Sequence, residues 1–182
     1  MNINKTQLFH PIFTLKCSSE EDTQKKISKY IPIEWQFIIM NNGSLTQNLN
    51  SLLINQINLE MSQKYNITSN NKLSNIRIVW LENYINKNLT FAQSIWTIDK
   101  QNNTYKHILN TQPIGYSLIQ FEIDIYKDLQ EIYCGYCYNL ENIFDHSNLI
   151  WGRKYKMFYQ KNSYVTIEEF FTPQLAKFLA FR

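Results

Sequence analysis

The chain has 182 residues, 44% of them hydrophobic and 15% aromatic, which excludes a disordered polymer and allows one domain with a full core. The net charge is only +3, and the Lys and Arg residues are scattered rather than striped, so no nucleic-acid surface is expected. No apolar run approaches the roughly 20 residues that cross a bilayer, so no membrane insertion is expected, and the N-terminus carries no signal or transit pattern.

Residues 1–30 are polar and mixed; Ser18 or Ser19 followed by Glu20, Glu21 and Asp22 predicts a short capped helix. Pro32 interrupts, the apolar run 35–40 follows, and Asn41-Asn42-Gly43-Ser44 marks a turn. Ser44 then caps a helix carrying Leu45, Leu49, Leu52 and Leu53, whose start offers backbone N–H groups to an anion. Alternation over 54–67, 76–81 and 90–98 predicts three strands, separated by polar turns at 69–71 and 86–88, in an antiparallel meander. A helical turn is expected at 105–110, a breaker at Pro113-Ile114-Gly115 with an apolar segment after it, and helix character at 124–130. Strands follow over 131–138 and 151–159, then a hairpin turn at 161–163 into a closing stretch, 163–173, read as a strand, with a short helix beyond Pro173. The expected architecture is α+β, a single domain over 1–182 around an antiparallel sheet of about six strands.

The closing strand places Val165, Ile167, Glu169 and Phe171 on one face and Tyr164, Thr166, Glu168 and Phe170 on the other. Glu169 has the drier face, so it requires a partner or a raised pKa. Arg77 shares its strand face with Val79 and Leu81, and a guanidinium cannot shed its charge there. Two arrangements satisfy both residues. They form a buried ion pair, or each holds one end of a small molecule.

Other motifs carry less. Cys17, Cys134 and Cys137 are an odd number, against a disulfide scaffold. Cys134-Gly135-Tyr136-Cys137 has dithiol spacing, but it lies in an aromatic strand-like run without the helix start that activates such a thiol, and reads as structural. His10, His107 and His146 are isolated, and metal motifs, phosphate loops and nucleophile elbows are absent. Cofactor-free chemistry or plain binding is left.

Taken in order, Asn42-Gly43-Ser44-Leu45-Thr46, Arg77-Ile78-Val79-Trp80-Leu81, Phe91-Ala92, Pro113-Ile114-Gly115, Trp151-Gly152-Arg153 and Glu168-Glu169-Phe170-Phe171-Thr172-Pro173 resemble the chorismate pyruvate-lyase family. The nearest resemblance is to its red-algal plastid and cyanobacterial branch, over about residues 33–173. The resemblance implies a six-stranded antiparallel sheet with helical flaps over an enclosed site. It further implies an enzyme, a carbon–oxygen lyase using no metal or cofactor, that removes pyruvate from chorismate to give 4-hydroxybenzoate for quinone synthesis, here plastoquinone in the chloroplast stroma. Arg77 then matches the arginine that binds the ring carboxylate, and Glu169 the acid at the ring 4-hydroxyl. Leu45 and Ile114 match positions whose backbone N–H groups touch the ligand.

After Phe91-Ala92 the better-known bacterial enzymes have Gly-Arg, and this chain has Gln93-Ser94. The second positive charge is therefore missing or supplied elsewhere, with Arg153 the candidate. The rival reading is a non-catalytic module of the same fold that binds a small aromatic acid; no helix-turn-helix segment is expected before the matched region.

Overall fold

A computed structural model describes residues 9–53, 56–67, 72–84, 87–99, 125–159 and 163–179. Seven strands form one sheet: β1 (His10–Lys16), β2 (Asn58–Ile67), β3 (Lys72–Asn83), β4 (Lys87–Asp99), β5 (Ile125–Tyr136), β6 (Ile150–Tyr159) and β7 (Ser163–Phe171). Their spatial order is β1-β5-β6-β7-β4-β3-β2, with every neighbouring pair antiparallel. The strand that carries Glu169 is thus the middle one. Among the described residues there are five helices, α1 (Glu20–Tyr30), α2 (Ile33–Ile39), α3 (Leu45–Leu53), α4 (Tyr138–Phe144) and α5 (Gln174–Leu179).

Alternation along each strand divides the core in two. On one face Leu15, Val79, Leu81, Ile132 and Phe171 pack against Ile27 of α1, Trp35, Ile38 and Ile39 of α2, Leu49 of α3 and Leu175 of α5. On the other, Ile78, Trp80, Phe91, Tyr133 and Phe170 pack against Leu140 and Phe144 of α4. Helices α1, α2 and α3 form for local reasons. The Ser19 hydroxyl accepts from the Asp22 N–H at the start of α1, with three acids in its first turn. In α2, Trp35, Ile38 and Ile39 are buried while Ile33 and Phe37 are exposed, the split of a helix half-sunk in a core. Ser44 caps α3, its hydroxyl accepting from Gln47 N–H at 3.4 Å.

The α+β class and the antiparallel meander β2-β3-β4 agree with the sequence, as do the capped helices after Ser19 and Ser44 and the short helix after Pro173. Two elements have no assignment from the sequence, and a third differs from it. The apolar run at 35–40 is helical. Residues 10–16, in the segment read as polar and mixed, form β1, an edge strand among the described residues, the kind of position where Pro11 is tolerated. Residues 125–130, read as helical, belong to β5. Ile125, Lys127 and Leu129 pair with Tyr159, Met157 and Tyr155 of β6, and that pairing overrides the local preference. The register shift between Leu129 and Glu131 also moves the inward positions from odd to even numbers, to Ile132 and Cys134, which hides the period of two. The expected turn at 69–71, the helical turn at 105–110 and the Pro113-Ile114-Gly115 segment lie outside the described residues, as do Asn86 of the turn at 86–88 and Lys161 and Asn162 of the turn at 161–163.

Candidate active site

The helix-covered face of the sheet carries an unusual density of buried polar groups. Asn75, Arg77, Ser94, Arg153 and Glu169 all lie inside, Arg77 at 0% and Glu169 at 6% exposure. Burying so many is costly unless they are paired or wait for a ligand.

Register fixes where each stands. One row across the sheet runs Leu15, Ile132, Arg153, Glu169, Ala92, Val79 and Met61. The next runs Leu129, Tyr155, Ile167, Ser94, Arg77 and Gln63. Arg77 and Glu169 therefore share a face, two strands and one row apart, with Cα atoms roughly 12 Å apart by ordinary strand spacings. Ser94, at the position where the bacterial enzymes carry arginine, stands between them and accepts from the Trp96 indole N–H at 2.9 Å.

The ion-pair partner of Glu169 is Arg153, not Arg77. Arg153 Nε donates to Glu169 Oε2 at 2.7 Å, and the Tyr155 hydroxyl donates to Oε1 at 2.9 Å. A carboxylate has about four acceptor positions, so each oxygen retains capacity for a ligand. Arg153 Nη1 lies 3.1, 2.7 and 2.9 Å from the carbonyls of Ile38, Ile39 and Asn41. Those carbonyls end α2 and begin the turn that leads to α3, so one guanidinium satisfies helix-end acceptors and ties the turn to the middle of the sheet. Burial opposes the Arg153 charge, but Glu169 and Tyr155 hold its pKa above the ordinary value. Burial, then the Glu169 charge, push the Tyr155 phenol well above its usual range, so Tyr155 remains a donor.

Lys127 completes the cluster. It stands on the same face, its Nζ 5.1 Å from the centre of the Tyr155 ring and donating to Gly43 O at 3.0 Å. Burial, then repulsion by Arg153, push its ammonium down to about 8, against the pull of Glu169. A lysine whose folded pKa lies below its unfolded value of 10.5 costs stability while protonated, and that cost is relieved as pH rises from 8 toward 10.5. Lys127→Met is accordingly expected to be more stable than the parent at pH 7, by ~1–2 kcal/mol once the lost hydrogen bond is subtracted. The gap should close near pH 10. Denaturant unfolding of both proteins at the two pH values checks this, and a pH-independent gap would contradict it.

A cavity of about 370 Å³ adjoins the cluster, lined by Arg153, Tyr155, Lys127, Leu129, Asn41 and Asn42 among others. Its size is that of a small-ligand site. Arg77, Glu169 and Leu45 are not among its lining residues, so it opens on the β6 side of Glu169, away from Arg77. Leu45 is the first residue of α3, two positions after the Gly43 that Lys127 holds. Ile114 lies outside the described residues.

The remaining candidates are structural in their surroundings. Burial pushes the Cys134 thiol up to about 11, the reverse of an activated thiol. Among the described residues, no group of three or more His, Cys, Asp or Glu side chains could hold a metal ion, and no helix is long and apolar enough to cross a membrane.

Sequence reasoning singled out Arg77 and Glu169 and missed Tyr155 and Lys127. The signal for β6 was present: Trp151, Arg153, Tyr155 and Met157 alternate as Arg77 does with its neighbours, and the same test of a guanidinium on an apolar face selects Arg153. Lys127 was concealed by the helical reading of its segment.

Comparison with known proteins agrees with the motifs. The protein ycf21 of Antithamnion sp., itself uncharacterised, is 48% identical over 181 residues, covering 100% of this chain and 99% of its own. The ycf21 proteins of Porphyra purpurea and Pyropia yezoensis are 33% and 31% identical, each over 81% of this chain and 86% of theirs. These relatives come from red-algal plastids, the branch the motifs resemble. A crystal structure of a putative GntR-family transcriptional regulator aligns over 65% of this chain and 55% of its own at 6% identity and a TM-score of 0.46, too slight a likeness to bear on function. Residues 39–179 match the family described as Chorismate pyruvate-lyase Rv2949c-like, and the chain belongs to that family.

Proposed function

We propose that the protein is a chorismate lyase that eliminates pyruvate from chorismate to give 4-hydroxybenzoate. The observation that carries this reading is the pair Arg77 and Glu169, opposed on one buried sheet face at a spacing that admits a ring between them. In this reading Arg77 takes the ring carboxylate through its planar fork. Glu169, steadied by Arg153 and Tyr155, takes the ring hydroxyl. The backbone N–H groups of Leu45 and Ile114 add contacts.

The chemistry asks little more of the protein. The ether C–O bond to the enolpyruvyl group breaks and its electrons leave with that group. The C–H bond on the neighbouring hydroxyl-bearing carbon breaks and its electrons enter the ring, which becomes aromatic. The proton ends on the methylene carbon of the departing group, giving pyruvate. Since aromatisation drives the reaction, the site acts by holding one conformation and stabilising charge that builds on the leaving oxygen. Arg153, Tyr155 and Lys127 supply donors and positive charge on the β6 side of Glu169, whereas Ser94, which stands in place of the bacterial arginine, lies on the other side, between Glu169 and Arg77. The plastid origin of the ycf21 relatives supports a plastid location, and 4-hydroxybenzoate made there would serve as a quinone ring precursor.

The test is to incubate the full chain with chorismate and follow 4-hydroxybenzoate and pyruvate chromatographically. Equal amounts of both, above the uncatalysed background, are expected. Tight binding of 4-hydroxybenzoate with no turnover would replace the lyase by a binding module of the same fold.

A further inference from the structure

Four charged groups share the site face: Arg153 on β6 and Glu169 on β7 stand side by side in one row, Arg77 on β3 stands one row along, and Lys127 on β5 two rows along, opposite Met157. The carboxylate of Glu169 thus has a cationic pole on each side. A ring bound between Arg77 and Glu169 uses only one of them. The other pole, Lys127 with Arg153, faces the cavity on the far side of Glu169.

Three features of that pole fit a carboxylate. Arg153 is 2% exposed, yet its Nη2 has no hydrogen-bond partner, while its Nε and Nη1 are fully engaged. Lys127 spends one N–H on Gly43 O, and its remaining donors are free to turn to a ligand in the cavity it lines. Two cations that face one another, Lys127 lowered in pKa partly by Arg153, are relieved by an anion between them. The acids at this cavity do not fill that place. Glu20 is exposed in the first turn of α1, and Asp128 accepts from Gln130 at 2.6 Å.

We propose that Lys127 and Arg153 Nη2 form a second anion subsite, which takes the carboxylate of the side chain on the ring carbon next to the hydroxyl-bearing one. The assignment rests on the lyase reading and deepens it: Arg77 and Glu169 recognise the ring, and Lys127 with Arg153 distinguishes a dicarboxylate substrate from its monocarboxylate product. Chorismate carries its enolpyruvyl ether, and at the end of it the second carboxylate, on the ring carbon next to the one whose hydroxyl Glu169 holds, so this carboxylate lies within a side chain's length of Glu169. Once the side chain leaves, the product no longer occupies the subsite, which favours its release.

The discriminating experiment compares the two ligands. Lys127→Met is expected to raise the KM for chorismate by about 10-fold or more, the value of one charge-assisted hydrogen bond in a half-buried site. The dissociation constant of 4-hydroxybenzoate, which lacks the second carboxylate, should stay within about twofold. Lys127→Arg should restore most of the chorismate KM. An equal loss for both ligands, or no change for either, overturns the subsite while the parent protein's turnover still stands. A parent that binds chorismate more tightly than 4-hydroxybenzoate in a Lys127-dependent way, without forming product, supports the subsite and sinks the lyase reading.

Discussion

Arg153→Met is expected to lower stability by ~3–5 kcal/mol, because it leaves a buried carboxylate without its charge partner. In a chain of 182 residues this corresponds to a fall in Tm of about 10 °C. Two losses combine. Glu169 keeps only the Tyr155 hydroxyl, and the carbonyls of Ile38, Ile39 and Asn41 lose the guanidinium that satisfies them. The second loss frees the turn that leads into α3, so the variant should also bind 4-hydroxybenzoate poorly even where it remains folded. Thermal unfolding of the single variant and of Arg153→Met/Glu169→Leu separates the causes. The double variant should recover part of the loss, because no orphaned charge remains. Equal instability of the two would show that the helix-end carbonyls, rather than the ion pair, dominate.

Arg77→Ala is expected to weaken 4-hydroxybenzoate binding by about 100-fold, or ~2.7 kcal/mol, through loss of a forked carboxylate contact in a dry site. Phenol, which has the hydroxyl and no carboxylate, should bind the parent weakly and lose little further in the variant. Arg77→Lys should recover only part of the affinity, since an ammonium keeps the charge and loses the fork. Titration calorimetry with both ligands measures all three. If Arg77→Ala leaves 4-hydroxybenzoate binding unchanged, the ring carboxylate is held elsewhere.

Much of this site was legible because charge and period contradict one another in the sequence. Glu169 and Arg77 each occupy a strand position whose neighbours two residues away are apolar, and a charged group there must be paired or used. Alternation alone identifies both residues, and both lie on the helix-covered face. The pairing partner was another matter. The sequence suggested Arg77, whereas β6 lies next to β7 and brings Arg153 directly opposite Glu169. Which strands are neighbours is decided by long-range pairing, and alternation within a strand carries no record of it. Lys127 was hidden for a second reason: a bulge near Gln130 breaks the period, and local preferences at 125–130 favour a helix that the sheet overrides. Strand β1 was obscured because an edge strand with one solvent face, carrying Pro11, shows little apolar periodicity.

In the proposed site Arg77 and Glu169 clamp the two ends of a hydroxybenzoate ring. A crystal structure of the full chain with 4-hydroxybenzoate measures it directly. The ring carboxylate is expected forked on Arg77, and the 4-hydroxyl oxygen at about 2.6 Å from a Glu169 carboxylate oxygen, the short contact of a charge-assisted bond. A ring bound with its carboxylate on Lys127 and Arg153, or away from Arg77 and Glu169 altogether, would contradict it.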